Sequence, residues 1–208
     1  MIDQFLHWAA EARGLAQILW WIGGSWLAGQ ILAVRTGVVR SSTFEFFPNG
    51  TRRDEFRKLR ELLKTAKSVR MILVGGSGLI TSQPNVSNIK AVIFPHPGSE
   101  SLAKYSRTVG DVGLGSKIIS TTRYLMERGI VVRWYSDPIG NAIIIADHGR
   151  SSAWAQIEPV LPFAAQIDRP CLVVHQKAYD ELIESISQTF EKMFTSSDPP
   201  DPTYLLQA

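Results

Sequence analysis

The chain has 208 residues, of which 45% are apolar and 20% charged, and carries a formal net charge of +3. That length buries a core in one domain plus an appendage, and so small a charge gives no support to direct nucleic-acid binding. A single cysteine, Cys171, excludes an internal disulfide and a cysteine-rich metal site; it fits a reducing compartment and, in an apolar run, reads as a buried structural thiol.

Residues 1–40 form an N-terminal segment. From Gly14 to Val34 the chain reads GLAQILWWIGGSWLAGQILAV, 21 positions without a charge. As a helix this run reaches roughly 30 Å, the thickness of a bilayer's hydrocarbon core. Gln17, Gln30, Ser25 and the glycines lower its hydrophobicity, and a buried core helix is the alternative, although core helices are usually shorter and amphipathic. The sequence predicts a transmembrane helix. Asp3, Glu11 and Arg13 precede it, which is not the positive cluster of a signal peptide. Arg35 and Arg40 follow it closely, so the positive-inside rule places the C-terminal domain in the cytoplasm, with a single pass through the inner membrane. Gly24 and Ala28, and likewise Ser25 and Gly29, are four apart; small residues at that spacing let two helices associate. The bilayer and further copies of the chain are therefore the expected partners.

After Arg40 the composition becomes that of an α/β domain, expected over 41–195. Thr43 to Phe47 reads as a strand stopped by Pro48-Asn49-Gly50, and Arg52 to Ala66 as an amphipathic helix. Val69 to Val74 is a buried strand running into Gly75-Gly76-Ser77-Gly78. Ile89 to Phe94 is another, halted at Pro95. A polar, glycine-containing stretch leads to a helix from about Ser116 to Arg128, closed by Gly129. Ile130 to Tyr135 and Ala142 to Asp147 are predicted strands, expected to be neighbours. Trp154 to Val160 and Cys171 to Val174 complete the strands. Tyr179 to Phe194 is a closing helix with Leu182, Ile183, Ile186, Phe190 and Phe194 inward. The tail, 196–208, with Pro199, Pro200 and Pro202, is expected to be disordered.

The stretch GNAIIIADH, Gly140 to His148, is a buried strand ending in a carboxylate. Together with VRMILVGGSG, IKAVIFPHPGS, STTRYLMERGIVVRWYSDPIGNAIIIAD and RPCLVVHQKAYDELIESISQTFEKMF, it resembles the phospholipase D-like superfamily over Phe44 to Phe194, specifically its non-catalytic, sensor-like members. The resemblance implies a mixed sheet flanked by helices, and domains that pair to bring two sites together. Active members carry HxKxxxxD, with histidine as phosphoryl nucleophile or acid and lysine stabilising phosphate charge. With Asp147 as the acid, the histidine position is Gly140 and the lysine position Ala142. Gly140 can neither attack nor protonate, and Ala142 carries no charge. His175-Gln176-Lys177 supplies another HxK, but the required acid falls on Leu182. No catalytic residue is assigned.

His7, His96, His148 and His175 show no metal-ligand spacing, and neither a Walker lysine nor GxGxxG is present; no metal or cofactor is expected. A small ligand would bind at strand C-terminal ends, as in open α/β sheets, which nominates Ser77, His96, Asn141, Asp147 and His148. Three functions follow. The first is a membrane-anchored, non-enzymatic sensor or effector, serving bacterial antiviral defence or stress response, with recognition supplied by a ligand or a separate protein. The second is a membrane-bound phosphodiesterase or nuclease. The third is a soluble adaptor whose N-terminal helix docks on a partner protein.

Overall fold

Runs of valine, isoleucine and aromatic residues become strands wherever both of their faces find cover. The structure, a computed structural model, describes residues 39–40, 44–47, 64–75, 86–161, 169–176 and 180–206. Within them eight strands form one sheet: β1 (Val39–Arg40), β2 (Phe44–Phe47), β3 (Val69–Ile72), β4 (Ile89–Pro95), β5 (Val131–Tyr135), β6 (Asn141–Ala146), β7 (Trp154–Pro159) and β8 (Cys171–His175). Their order across the sheet is β1-β2-β8-β7-β6-β3-β4-β5. β3, β4 and β5 run parallel, and every other pairing is antiparallel. The helices are α1 (Glu100–Thr108), α2 (Leu114–Met126), α3 (Asp180–Thr195) and α4 (Pro202–Leu206). This is an α/β fold with a mixed sheet flanked by helices.

Two cores lie on opposite faces of the sheet. Met71, Val92, Phe94, Trp134, Ile144 and Trp154 share one with Leu102 of α1 and Ile118 and Leu125 of α2. Ile72, Ile93, Ile143, Ile145 and Val174 share the other with Ile183, Ile186 and Phe190 of α3. Burial on both faces explains why β3, β4 and β6 are mostly apolar rather than alternating, with Arg70, Lys90 and Asn141 towards their starts. In α3 the inward stripe runs through Ile183, Ile186 and Phe190; Leu182, one position and about 100° round the helix, is 39% exposed. α2 is followed by Gly129, whose φ of 73° lets the Ile130 N–H turn back to the Leu125 carbonyl (3.1 Å). The polar stretch before it holds α1, whose start is marked by Ser99 accepting from the Leu102 N–H (3.2 Å).

Two expectations are corrected. β5 and β6 are not neighbours, because β3 and β4 lie between them. The connection Ser136–Gly140 crosses three strand spacings, roughly 14 Å, within reach of an extended chain of that length. The tail is also not free of structure: Asp198 forms an antiparallel bridge with Trp134, and α4 follows. Its prolines forbid a long helix but suit this short one, with Asp201 capping the Thr203 N–H (2.8 Å) and Pro202 in the first turn.

The run from Gly14 to Val34, with Gly24, Ser25, Ala28 and Gly29, lies outside the described residues, as do Ser77, Lys177 and most of the helix predicted from Arg52 to Ala66. Among the described residues no helix is long and apolar enough to cross a membrane.

Candidate functional site

Gly140 and Ala142 lie at the start of β6, where the Gly140 carbonyl accepts from the Val160 N–H (2.9 Å). Ala142 pairs with Glu158 of β7. Strand alternation puts Ile144, Gln156 and Glu158 on the face covered by α1 and α2. The register extends the row to Cys171 of β8, which pairs with Phe47 of β2. Ala142 thus sets a methyl group across from a buried carboxylate.

That carboxylate has a cation of its own. Glu158 and Arg169 are each 5% exposed and pair at 3.3 Å. Arg169 also donates to the Tyr105 hydroxyl of α1 and lies 5.6 Å from the centre of its ring. Burial raises the Glu158 pKa from 4.5 to about 7, outweighing the opposing pull of Arg169. The Tyr105 phenol is raised by burial as well, again against Arg169. Burial, with the charges of Glu158 and Glu45 behind it, pushes the Cys171 thiol far up, so it stays neutral and unreactive. Glu158 and Arg169 are thus turned on each other inside the fold, and Cys171 presents no activated thiolate.

Sequence reasoning missed Glu158, Arg169 and Tyr105. The one local signal was the alternation in β7, where Gln156 and Glu158 share a face with the aromatic Trp154.

The nominated residues separate into two groups. His96 follows the C-terminal end of β4, and Asn141, exposed, opens β6 at the same end of the sheet. Asp147 and His148 follow the other end of β6, about 20 Å away at ~3.3 Å per residue. Because β6 runs antiparallel to β3, its C-terminus lies at the opposite edge from the C-termini of β3, β4 and β5. Asp147 is a structural hub: its carboxylate accepts from the N–H groups of Lys67 (2.8 Å) and Ser68 (3.0 Å) and from the Ser152 hydroxyl (3.3 Å). His148 meets Glu184 of α3 at 2.9 Å, and hydrogen bonds from His148 and then Gln188 hold the Glu184 carboxyl below its usual range. An open cleft of about 410 Å³ lies there, lined by Arg70, His148, Glu184, Ser187 and Lys192 among others. Within it Arg70 bonds Glu191 and the Ser187 hydroxyl (2.9 Å). His175 faces Glu45 of β2 at 3.4 Å. Among the described residues no three histidine, cysteine, aspartate or glutamate side chains gather to hold a metal ion.

Among solved structures the chain is similar to Nuc, a phospholipase D family member from Salmonella typhimurium, with 14% identity and a TM-score of 0.48, covering 74% of this chain and 94% of that one. No protein-family model and no curated protein matches it.

Proposed function

We propose that this chain is a membrane-anchored, non-enzymatic sensor or effector. In this reading residues 14–34 cross the inner membrane once, and the folded domain is a degenerate phospholipase D-like unit in the cytoplasm. The domain pairs with further copies or takes a ligand or recognition protein, and that event is passed to the membrane helices. Bacterial antiviral defence or stress response is the setting such an arrangement serves.

The observation that supports this reading most is the Ala142–Glu158–Arg169 arrangement. A phosphodiesterase needs a cation and a proton-transferring nucleophile aimed at open space. Here the cation is buried and already paired, and the strand beside it carries neither group. The uncharged run from Gly14 to Val34, with its small residues at four-residue spacing, supplies the anchor and the self-association.

The test is membrane retention of the full chain. It is expected to remain in the membrane pellet through alkaline carbonate extraction, and Leu19→Arg with Leu27→Arg is expected to release it. The purified full chain is expected to hydrolyse neither phosphodiester DNA nor phospholipid vesicles. Quantitative release of the unsubstituted chain by carbonate would overturn the anchor. Turnover abolished by His175→Ala with Lys177→Ala would overturn the non-enzymatic assignment.

A further inference from the structure

Beyond α3 the chain returns to the sheet at β5. Asp198 exchanges two backbone hydrogen bonds with Trp134 (2.8 and 2.9 Å), on the edge of β5 that β4 leaves free. A sheet edge is a template on which another strand can pair, and folded chains cover, charge or interrupt such edges. Trp134 turns both of its peptide groups towards this edge, and strand alternation gives Val132 the same direction. Val131, at the start of β5, is 49% exposed and adds apolar surface beside them.

The covering segment is built so that it does not become a new edge. With Asp198 turned inwards to Trp134, the peptide groups of Ser197 and Pro199 face the other way. The Ser197 N–H is given to the Phe194 carbonyl (3.4 Å), and Pro199 has no N–H to give. Neither neighbour of Asp198 therefore offers a donor to a further strand, and the ladder stops there.

The segment is fastened on both sides of the bridge. Ser197 is buried and donates its hydroxyl to the Met193 carbonyl (2.6 Å), and Pro200 is buried as well. Tyr204 and Leu205 pack against the main core. The Tyr204 ring stands edge-on to His96 and to Trp134, with ring centroids 5.4 and 5.7 Å apart. It fills a slot beside Gly98, where a Cβ would collide with its hydroxyl. Arg123 of α2 donates to the Leu205 carbonyl.

We propose that residues 196–206 are a strap that closes the β5 edge against a second copy of this chain. The edge beneath the strap is self-complementary. A second β5 running antiparallel sets Val132 of each copy against Trp134 of the other, so that both rows of peptide groups are satisfied, and brings Arg133 against its own counterpart. Strap and pairing compete for the same Trp134 N–H and C=O, so each excludes the other. Self-association of the chain through any other surface, combined with pairing at β5, would build an open-ended array rather than a closed assembly. The strap removes that route. The proposal holds whether or not the chain is anchored in a membrane.

Arg133→Cys places a thiol where two paired β5 strands would cross their two-fold axis, with Cα atoms about 4.5 Å apart and within disulfide reach. Cys171, 1% exposed, does not compete. The full chain carrying Arg133→Cys is treated with copper phenanthroline in the absence of denaturant, and disulfide-linked dimer is followed with time. Adding Asp198→Pro and Tyr204→Ala removes the donor to the Trp134 carbonyl and the packed ring, and is expected to speed cross-linking about tenfold. If that chain does not unfold cooperatively in urea, Asp198→Pro alone replaces the pair, with the ring left in place. The same strap substitutions combined with Leu182→Cys, on exposed α3 surface, are expected to leave the cross-linking rate unchanged. The proposal fails if releasing the strap does not speed cross-linking at position 133, whether both chains cross-link or neither does. It fails equally if cross-linking at position 182 accelerates as much, which would show collisions of a loosened chain and not pairing at β5.

Discussion

The Asp147 carboxylate accepts three hydrogen bonds while its own backbone stands at φ 52°, a conformation that a Cβ resists and that aspartate and asparagine tolerate best. Asp147→Ala therefore loses both effects and is expected to lower stability by about 3 kcal/mol. Asp147→Asn keeps one acceptor and the backbone preference, so a loss nearer 1 kcal/mol is expected; urea unfolding of the two variants checks the difference. Glu158 gives a second residue-scale expectation. Its pKa lies near 7 in the folded chain against 4.5, so between those values the native state holds a proton that the unfolded state has released. Stability then falls as pH rises from about 4.5 to about 7, by ~3 kcal/mol if the whole shift is expressed, and is flat on either side. Glu158→Gln is expected to abolish that slope. Equal urea midpoints at pH 5 and pH 8 in the unsubstituted chain would show that Arg169 offsets the burial of Glu158. Asp147 was legible in the sequence as an acid ending a buried strand, but its task was not: the groups that bind it come from Lys67 and Ser68, about 80 positions away in the chain.

At the scale of elements, the periodic segments were legible and the partnerships were not. α3 was visible because Ile183, Ile186 and Phe190 recur at helical spacing, and with those three side chains it packs on Ile72, Ile93, Ile143, Ile145 and Val174 of the sheet. Phe190 is 2% exposed, stacks on Phe194 at 5.8 Å and lies beneath the Arg70 guanidinium at 5.2 Å. Phe190→Ala is expected to cost about 3–4 kcal/mol, from lost burial and a cavity between helix and sheet. A thermal shift no larger than that of an exposed substitution such as Leu206→Ala would refute the packing. α1 was overlooked because its sequence, ESLAKYSRT, has little apolar surface; its cap at Ser99 was the usable signal. The tail was misread for a related reason. Composition registers prolines, whereas the edge of β5 and the slot for Tyr204 exist only once distant segments have assembled.

At the scale of the whole molecule, the uncharged run near the N-terminus and the α/β domain after Arg40 separate cleanly in the sequence, since both rest on local composition and period. Apolar residues repeating every second or every 3.6 positions define which segments bury a face, and this needs no knowledge of neighbours. Strand order, direction and register carry no comparable local mark. That β6 pairs antiparallel with β3 is what divides the nominated residues between two ends of the sheet. That Ala142 lies across from Glu158 is what sets a buried ion pair beside the start of β6. The sequence by itself determined the class of fold and most of its elements. The tertiary structure alone decided which residues share a site, because pairing across a sheet is fixed by backbone hydrogen bonds between segments far apart in the chain, and the side chains only follow.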